Sequence, residues 1–141
     1  MRPALRLAEP ISTRQRPTVL IVDDEPQILQ TLEDLLEDEF EVLTATRGHE
    51  ALAILGQQEV CVLLTDQRMP TMTGDEVLRE ARKSSQATRV LVTGYTDMSA
   101  LVRAVNGGQI YAYVSKPWKP VEMKLLVRKA AEHYDLVRRY H

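Results

Sequence analysis

The sequence holds one cysteine, Cys61, so no intrachain disulfide can form, and the small secreted scaffolds that rely on several such bridges are excluded. Cys61 stands inside an apolar strand, where a thiol packs as a small hydrophobe, and a reducing cytoplasmic setting is expected. No apolar run reaches the ~18 residues of a membrane-crossing helix. The opening MRPALRLAEPISTRQRP lacks the continuous apolar centre of a signal peptide. Residues 1–17 therefore read as a flexible leader, and no membrane association is expected. Charge of one sign is also missing: 18 lysines and arginines against 20 aspartates and glutamates leave a net charge of -2. Without a basic field, direct nucleic-acid binding by this chain is not expected. There is no internal repeat and no low-complexity segment. What remains is 141 residues, 44% hydrophobic and 27% charged, a length and composition that suit one globular domain.

The apolar residues fall into an alternating order. TVLIVDDE carries a β-branched run from Val19 to Val22, too short for a helix, that fits a strand ending at Asp23. From Pro26 to Phe40, Ile28, Leu29, Leu32, Leu35 and Leu36 share one helical face, with Pro26 tolerated in the first turn. The pattern then repeats as strand Glu41 to Thr46, helix Gly48 to Gln57, strand Val60 to Thr65, helix Gly74 to Lys83 and strand Arg89 to Thr93. Helix Met98 to Asn106, strand IYAYVS and a helix from Pro120 to Tyr140 complete it. Five strands alternating with five helices predict an α/β fold, a five-stranded parallel sheet with right-handed crossovers and both faces covered. In the last helix Met123, Leu126, Val127, Ala130, Tyr134 and Val137 recur at three- and four-residue spacing. At about 30 Å this helix outruns a strand of roughly 17 Å, so its last turns are expected to project with Tyr134, Val137 and Tyr140 exposed.

Sheets of this kind bind ligands beyond the carboxyl ends of their strands, where the strand order reverses. Polar residues collect there: Asp23, Asp24 and Glu25 after the first strand, Asp66 after the third, Thr93 at the fourth, and Ser115, Lys116 and Pro117 at the fifth. Singly, each has an ordinary explanation. Acids before a helix complement its dipole, and an aspartate at a strand end bonds its own turn. Together they would require four separate strand ends to place complementary groups at one edge by chance. Repulsion among Asp23, Asp24 and Asp66 calls for a cation, and Mg²⁺ is the expected ion because hard divalent ions take oxygen ligands. Lys116 supplies the opposite charge, and the Thr93 hydroxyl can donate to an anion. Such a set suits phosphoryl transfer, with Asp66 as the nucleophile that becomes an acyl phosphate.

LIVDDE, LLTDQRMPTMTGDE, VLVTGYTD and YVSKPW, in this order and spacing, resemble the receiver domain of two-component response regulators from Thr18 to Tyr134. The resemblance implies a flavodoxin-like or CheY-like doubly wound (βα)5 fold with strand order 2-1-3-4-5. It implies a receiver over 18–134, with 135–141 as the end of the last helix and the start of a linker to an output domain. Asp66 would be the phosphoacceptor, and Asp24 directly and Asp23 largely through water would hold Mg²⁺, to which Arg68 would lend its backbone carbonyl. Thr93 and Lys116 would contact the phosphoryl oxygens, Thr93 and Tyr113 would be the switch pair, and Lys116–Pro117 would be a cis peptide. The implied protein is a phosphorelay signalling domain, not an enzyme beyond its own phosphorylation and dephosphorylation. Its implied partners are a sensor histidine kinase, an output domain and a second copy docked through the fourth helix, fifth strand and fifth helix. The wording TDQRMP, TGYTD and KPW further resembles receivers of hydrogenase-gene (HupR-like) regulators, which points to transcription regulation, and also receivers of cyclic-di-GMP enzymes.

Departures from the family pattern are Gly94, where many receivers have alanine, Gln67 and Arg68 after the acceptor, and Tyr95 two positions after Thr93. Arg68 and Tyr95 are expected to flank the in-line route of water and to slow loss of the phosphoryl group. Two rival readings fit less well. An aspartate-based phosphohydrolase would carry a second acid two residues after its nucleophile, where Arg68 stands. A pseudo-receiver would lack one of the acids or the lysine.

Overall fold

The strand runs need hydrogen-bonded neighbours and the amphipathic helices need an apolar surface to cover, and one sheet serves both. The computed structural model describes residues 16–94 and 97–139. Strands β1 (Thr18–Val22), β2 (Glu41–Ala45), β3 (Val62–Asp66), β4 (Thr88–Gly94) and β5 (Ala112–Lys116) lie in the order β2-β1-β3-β4-β5. All four pairings are parallel. Helices α1 (Pro26–Leu36), α2 (Gly48–Gln57), α3 (Gly74–Ala81), α4 (Met98–Arg103) and α5 (Pro120–Arg139) connect and follow them. The expected α/β class and strand order are therefore present.

Because side chains alternate along a strand, the central strands feed two cores. Val19, Ile21, Val62, Leu64, Val90 and Val92 pack with α1 and α5. Leu20, Val22, Leu63 and Leu91 pack with α2, α3 and the segment after α4. With both faces covered, β1 and β3 are buried at every position, which is why their runs are continuous rather than alternating.

Several boundaries differ from the sequence expectation. α1 stops at Leu36 rather than Phe40, because Glu37, Asp38 and Glu39 would crowd the negative end of its dipole. α5 takes two of these acids instead: Lys124 Nζ bonds Asp38 at 2.7 Å, and Arg128 grips both Glu39 oxygens at 3.0 and 2.7 Å. Phe40 is still core, although outside the helix. α4 gives way at Ala104 to a π turn, Ala104–Gly108, which ends in Gln109 at φ 48°. The turn lies so close to α3 that a Cβ on Gly108 would stand 2.9 Å from Leu78 Cβ. Cys61 precedes β3 rather than lying in it and is half-buried against the α1/α5 core. Arg16 and Pro17, placed in the expected leader, are engaged: Arg16 donates to Glu37 O at 2.5 Å, and Pro17 O accepts from Glu41 N at 2.9 Å. The rest of that leader lies outside the described residues. No described helix is long and apolar enough to cross a membrane.

The end of α5 corrects one expectation. Tyr134 does not project; it is only 6% exposed. Its hydroxyl donates to Glu59, which also pairs with Arg138 at 2.6 Å, and the Arg138 guanidinium lies 5.5 Å from the Tyr134 ring centre. The physical reason is that the segment entering β3 extends the surface beneath the helix. Leu136 and Val137 remain exposed, and Tyr140 lies outside the described residues. Tyr134→Phe is expected to lower stability by about 1 kcal/mol, since one hydrogen bond to a charged but partly exposed acceptor is lost without a cavity. A urea titration reads this directly; an unchanged midpoint would show that packing alone holds the helix end.

Candidate functional site

The chain passes from β1 outward to β2, then returns to β3 and continues through β4 to β5, so the order reverses between β1 and β3. Asp66 is the last residue of β3, and Asp23 and Asp24 directly follow β1. The parallel register between β1 and β3 brings these ends level. Carboxylate oxygens of Asp23, Asp24 and Asp66 all lie within 4.8 Å of one another, with Asp23 and Asp66 buried and Asp24 exposed.

β5 delivers Lys116 to the same rim, its Nζ 2.5 Å from Asp66 Oδ1. Apart from that ammonium, the buried Oδ1 has no partner among the described residues. Asp66 Oδ2 accepts the Arg68 N–H at 3.2 Å, and Asp23 Oδ1 accepts the Glu25 N–H at 2.9 Å. Burial pushes the Asp23 carboxyl up to about 6; Asp66 and Asp24 push the same way, against the Glu25 N–H and Lys116. Burial works against the Lys116 ammonium, but the carboxylates of Asp66 and Asp23 hold its pKa above the ordinary value. Three clustered carboxylates with no soft donor suit a hard cation, which would share them with water and with a phosphate oxygen. The buried Asp66 Oδ1, met among the described residues only by the Lys116 ammonium, has a lone pair left for the same use.

The other expected site residues are placed less uniformly. Thr93 is buried on β4, one residue beyond the Asp66–Val92 pairing, and its hydroxyl donates to Gly94 O at 3.2 Å. Tyr113 is exposed on β5 and pairs in register with Leu91, away from the acids. The Arg68 side chain is 80% exposed and approaches Asp97 at 3.8 Å. Tyr95 lies outside the described residues. Lys116–Pro117 is cis, as expected. Beside the acids, Ile28, Leu32, Val92, Pro117 and Trp118 line an apolar cleft of about 540 Å³ that opens onto Asp66 and Lys116.

Sequence reasoning missed Asp75, which it read as part of a helix start, and saw Gln67 only as a departure. Both are buried and bonded to each other immediately behind Asp66. Two buried polar residues eight apart across a turn had no sequence signal, because helix starts commonly carry an aspartate.

Residues 19–128 match the family described as response regulator receiver domain. Over 120 residues the chain is 43% identical to the hydrogenase transcriptional regulatory protein HoxA of Cupriavidus necator, an overlap of 84% of this chain and 25% of that protein. Over 123 residues it is 34% identical to the DNA-binding transcriptional regulator NtrC of Salmonella typhimurium, covering 86% and 26%. The chain thus spans about a quarter of the length of either regulator. Among solved structures, the signal receiver domain of an HD domain-containing protein from Pseudomonas fluorescens Pf-5 superimposes with a TM-score of 0.85 at 34% identity, over 90% of this chain and 95% of that one. The family match runs from β1 into α5 and takes in every strand end that meets at the rim, and on that ground the chain belongs to the response regulator receiver domain family, a family of signalling domains.

Proposed function

We propose that this domain accepts a phosphoryl group on Asp66 from a phosphohistidine of a sensor histidine kinase. The observation that carries the reading is the cluster of Asp23, Asp24 and Asp66 oxygens within 4.8 Å, with Lys116 Nζ against Asp66. In the transfer an Asp66 carboxylate oxygen attacks phosphorus, the phosphorus–nitrogen bond breaks, and the imidazole leaves with the electron pair. Mg²⁺ is the cation of this reading: Asp24 directly, Asp23 largely through water, Asp66 and the Arg68 carbonyl would hold it, and it would supply positive charge against the transferring group. Lys116 offsets the same charge from the β5 side. The Thr93 hydroxyl turns from Gly94 O to donate to a phosphoryl oxygen, and the exposed Tyr113 follows that movement as the switch aromatic. Treatment with acetyl phosphate and Mg²⁺ is expected to add the mass of one phosphoryl group, and an unchanged mass would refute the acceptor reading.

The output is proposed as transcription regulation by a domain reached through residues 135–141, which the two regulators support by matching over only a quarter of their length. An enzymatic output, such as that of a cyclic-di-GMP signalling enzyme, is the second reading; the solved structure of adenylate cyclase from Rhodopirellula baltica, 35% identical over 89% of this chain and 94% of that one with a TM-score of 0.84, favours it. A cytoplasmic location belongs to the same proposal and is supported by the free thiol of Cys61. We also propose a weak homodimer through α4, β5 and α5. Val102, Tyr113, Val121 and Leu125 are exposed on these elements, with Val105 exposed on the adjoining π turn, and β5 is an edge strand with unpaired backbone groups. Sedimentation is expected to show more dimer with acetyl phosphate than without it; a monomer in both states at high concentration would remove the dimer from the reading.

A further inference from the structure

Gln67, the residue after Asp66, has all four of its polar groups engaged. Its backbone N–H donates to Val92 O at 3.0 Å, and its carbonyl accepts from Gly74 N–H at 3.0 Å. Its side-chain oxygen accepts from Asp75 N–H at 2.9 Å, and its amide donates to Asp75 Oδ1 at 2.6 Å. Asp75 Oδ1 also accepts the Thr73 hydroxyl at 2.9 Å, while Oδ2 accepts Arg103 Nε at 2.9 Å. Gln67 and Asp75 are 3% and 4% exposed, so water cannot replace a bond lost between them. α3 begins so close behind this pair that a Cβ on Gly74 would stand 2.3 Å from Asp66 O. Residues 66, 67, 74 and 75 are therefore one tightly bonded piece. Arg103, the last residue of α4 before the π turn, is fastened to it.

A cap for α3 does not account for this arrangement. Glu76 already accepts the Thr73 N–H at 2.9 Å, and a cap needs neither the Gln67 side chain nor a partner on α4. Burial alone would raise the Asp75 carboxyl, yet bonds from Arg103, Gln67 and Thr73 hold it below the usual carboxylate range, so an ionised group grips Arg103. Packed, hydrogen-bonded pieces shift together rather than stretch.

We propose that Gln67 and Asp75 are positioning residues that hold the Asp66 peptide, and that the Asp75–Arg103 pair ties this peptide to α4, a link separate from Thr93 and Tyr113. The inference rests on Asp66 as the phosphoryl acceptor. Movement of the Asp66–Arg68 peptide on loading passes through the Gln67 amide to Asp75 and so to Arg103.

Arg103 can be changed without opening the core, since its side chain is half exposed. The experiment titrates beryllofluoride, a phosphoryl stand-in, in the presence of Mg²⁺, followed by the fluorescence of Trp118 in the adjoining cleft. It is run on the unaltered chain, Arg103→Gln and Arg103→Lys, with hydrogen exchange of α4 amides measured with and without the ligand. Arg103→Gln is expected to weaken beryllofluoride binding about fivefold, the usual scale of coupling between sites, and to abolish the ligand-dependent change in α4 exchange. Arg103→Lys, which keeps the charge, is expected to recover part of both. Binding and α4 exchange in Arg103→Gln that match the unaltered chain would overturn the inference, even if the urea midpoint fell. Failure of the unaltered chain to bind beryllofluoride would instead overturn the acceptor reading.

Discussion

Asp66→Asn is expected to abolish labelling by acetyl phosphate, a loss of about 100-fold or more, while the fold survives. An amide oxygen is a poor nucleophile and cannot yield the acyl phosphate, so the chemical effect is close to complete. The structural effect is small because asparagine has the same shape and its carbonyl can still accept the Arg68 N–H that Asp66 Oδ2 takes at 3.2 Å. Lys116 loses its partner at 2.5 Å, which destabilises. Removing one of three clustered carboxylates relieves repulsion with Asp23 and Asp24, which offsets that loss. Mass spectrometry after acetyl phosphate, paired with a thermal scan, separates the two effects. Full labelling of the variant would place the acceptor elsewhere.

Asp23→Asn is expected to stabilise the metal-free domain at neutral pH while weakening its hold on Mg²⁺. Burial raises the Asp23 carboxyl from its ordinary 3.8 to about 6, so the folded state binds a proton more readily than the unfolded chain. Stability from this group is therefore fully present below the unfolded value, falls as pH rises from about 4 to about 6, and is absent above it. A shift of this size corresponds to about 3 kcal/mol at neutral pH, which the neutral asparagine would recover in part. Urea midpoints of the two proteins should differ at pH 7.5 and converge near pH 4. A difference that persisted at pH 4 would mean that the carboxylate charge is not the source of the cost. The opposite effects on stability and on Mg²⁺ affinity are what is expected where a carboxylate is kept buried for a cation.

Strands and helices were legible because each is written in local periodicity, and alternating units of this kind leave few topologies open. The convergence of Asp23, Asp24, Asp66 and Lys116 was legible for the same reason: each stands at the carboxyl end of its strand, and parallel strands bring those ends to one rim. What escaped the sequence depends on partners far along the chain. α1 ends early where Lys124 and Arg128 draw in acids 86 and 89 residues away, and the Tyr134 hydroxyl is held by a glutamate 75 residues before it. The Asp75–Arg103 bond joins residues 28 apart, through a carboxylate whose local setting is an ordinary helix start. Periodicity records which face of an element is apolar, but a buried polar contact is decided only when packing sets distances to within a fraction of an ångström, and those distances exist only in the assembled fold.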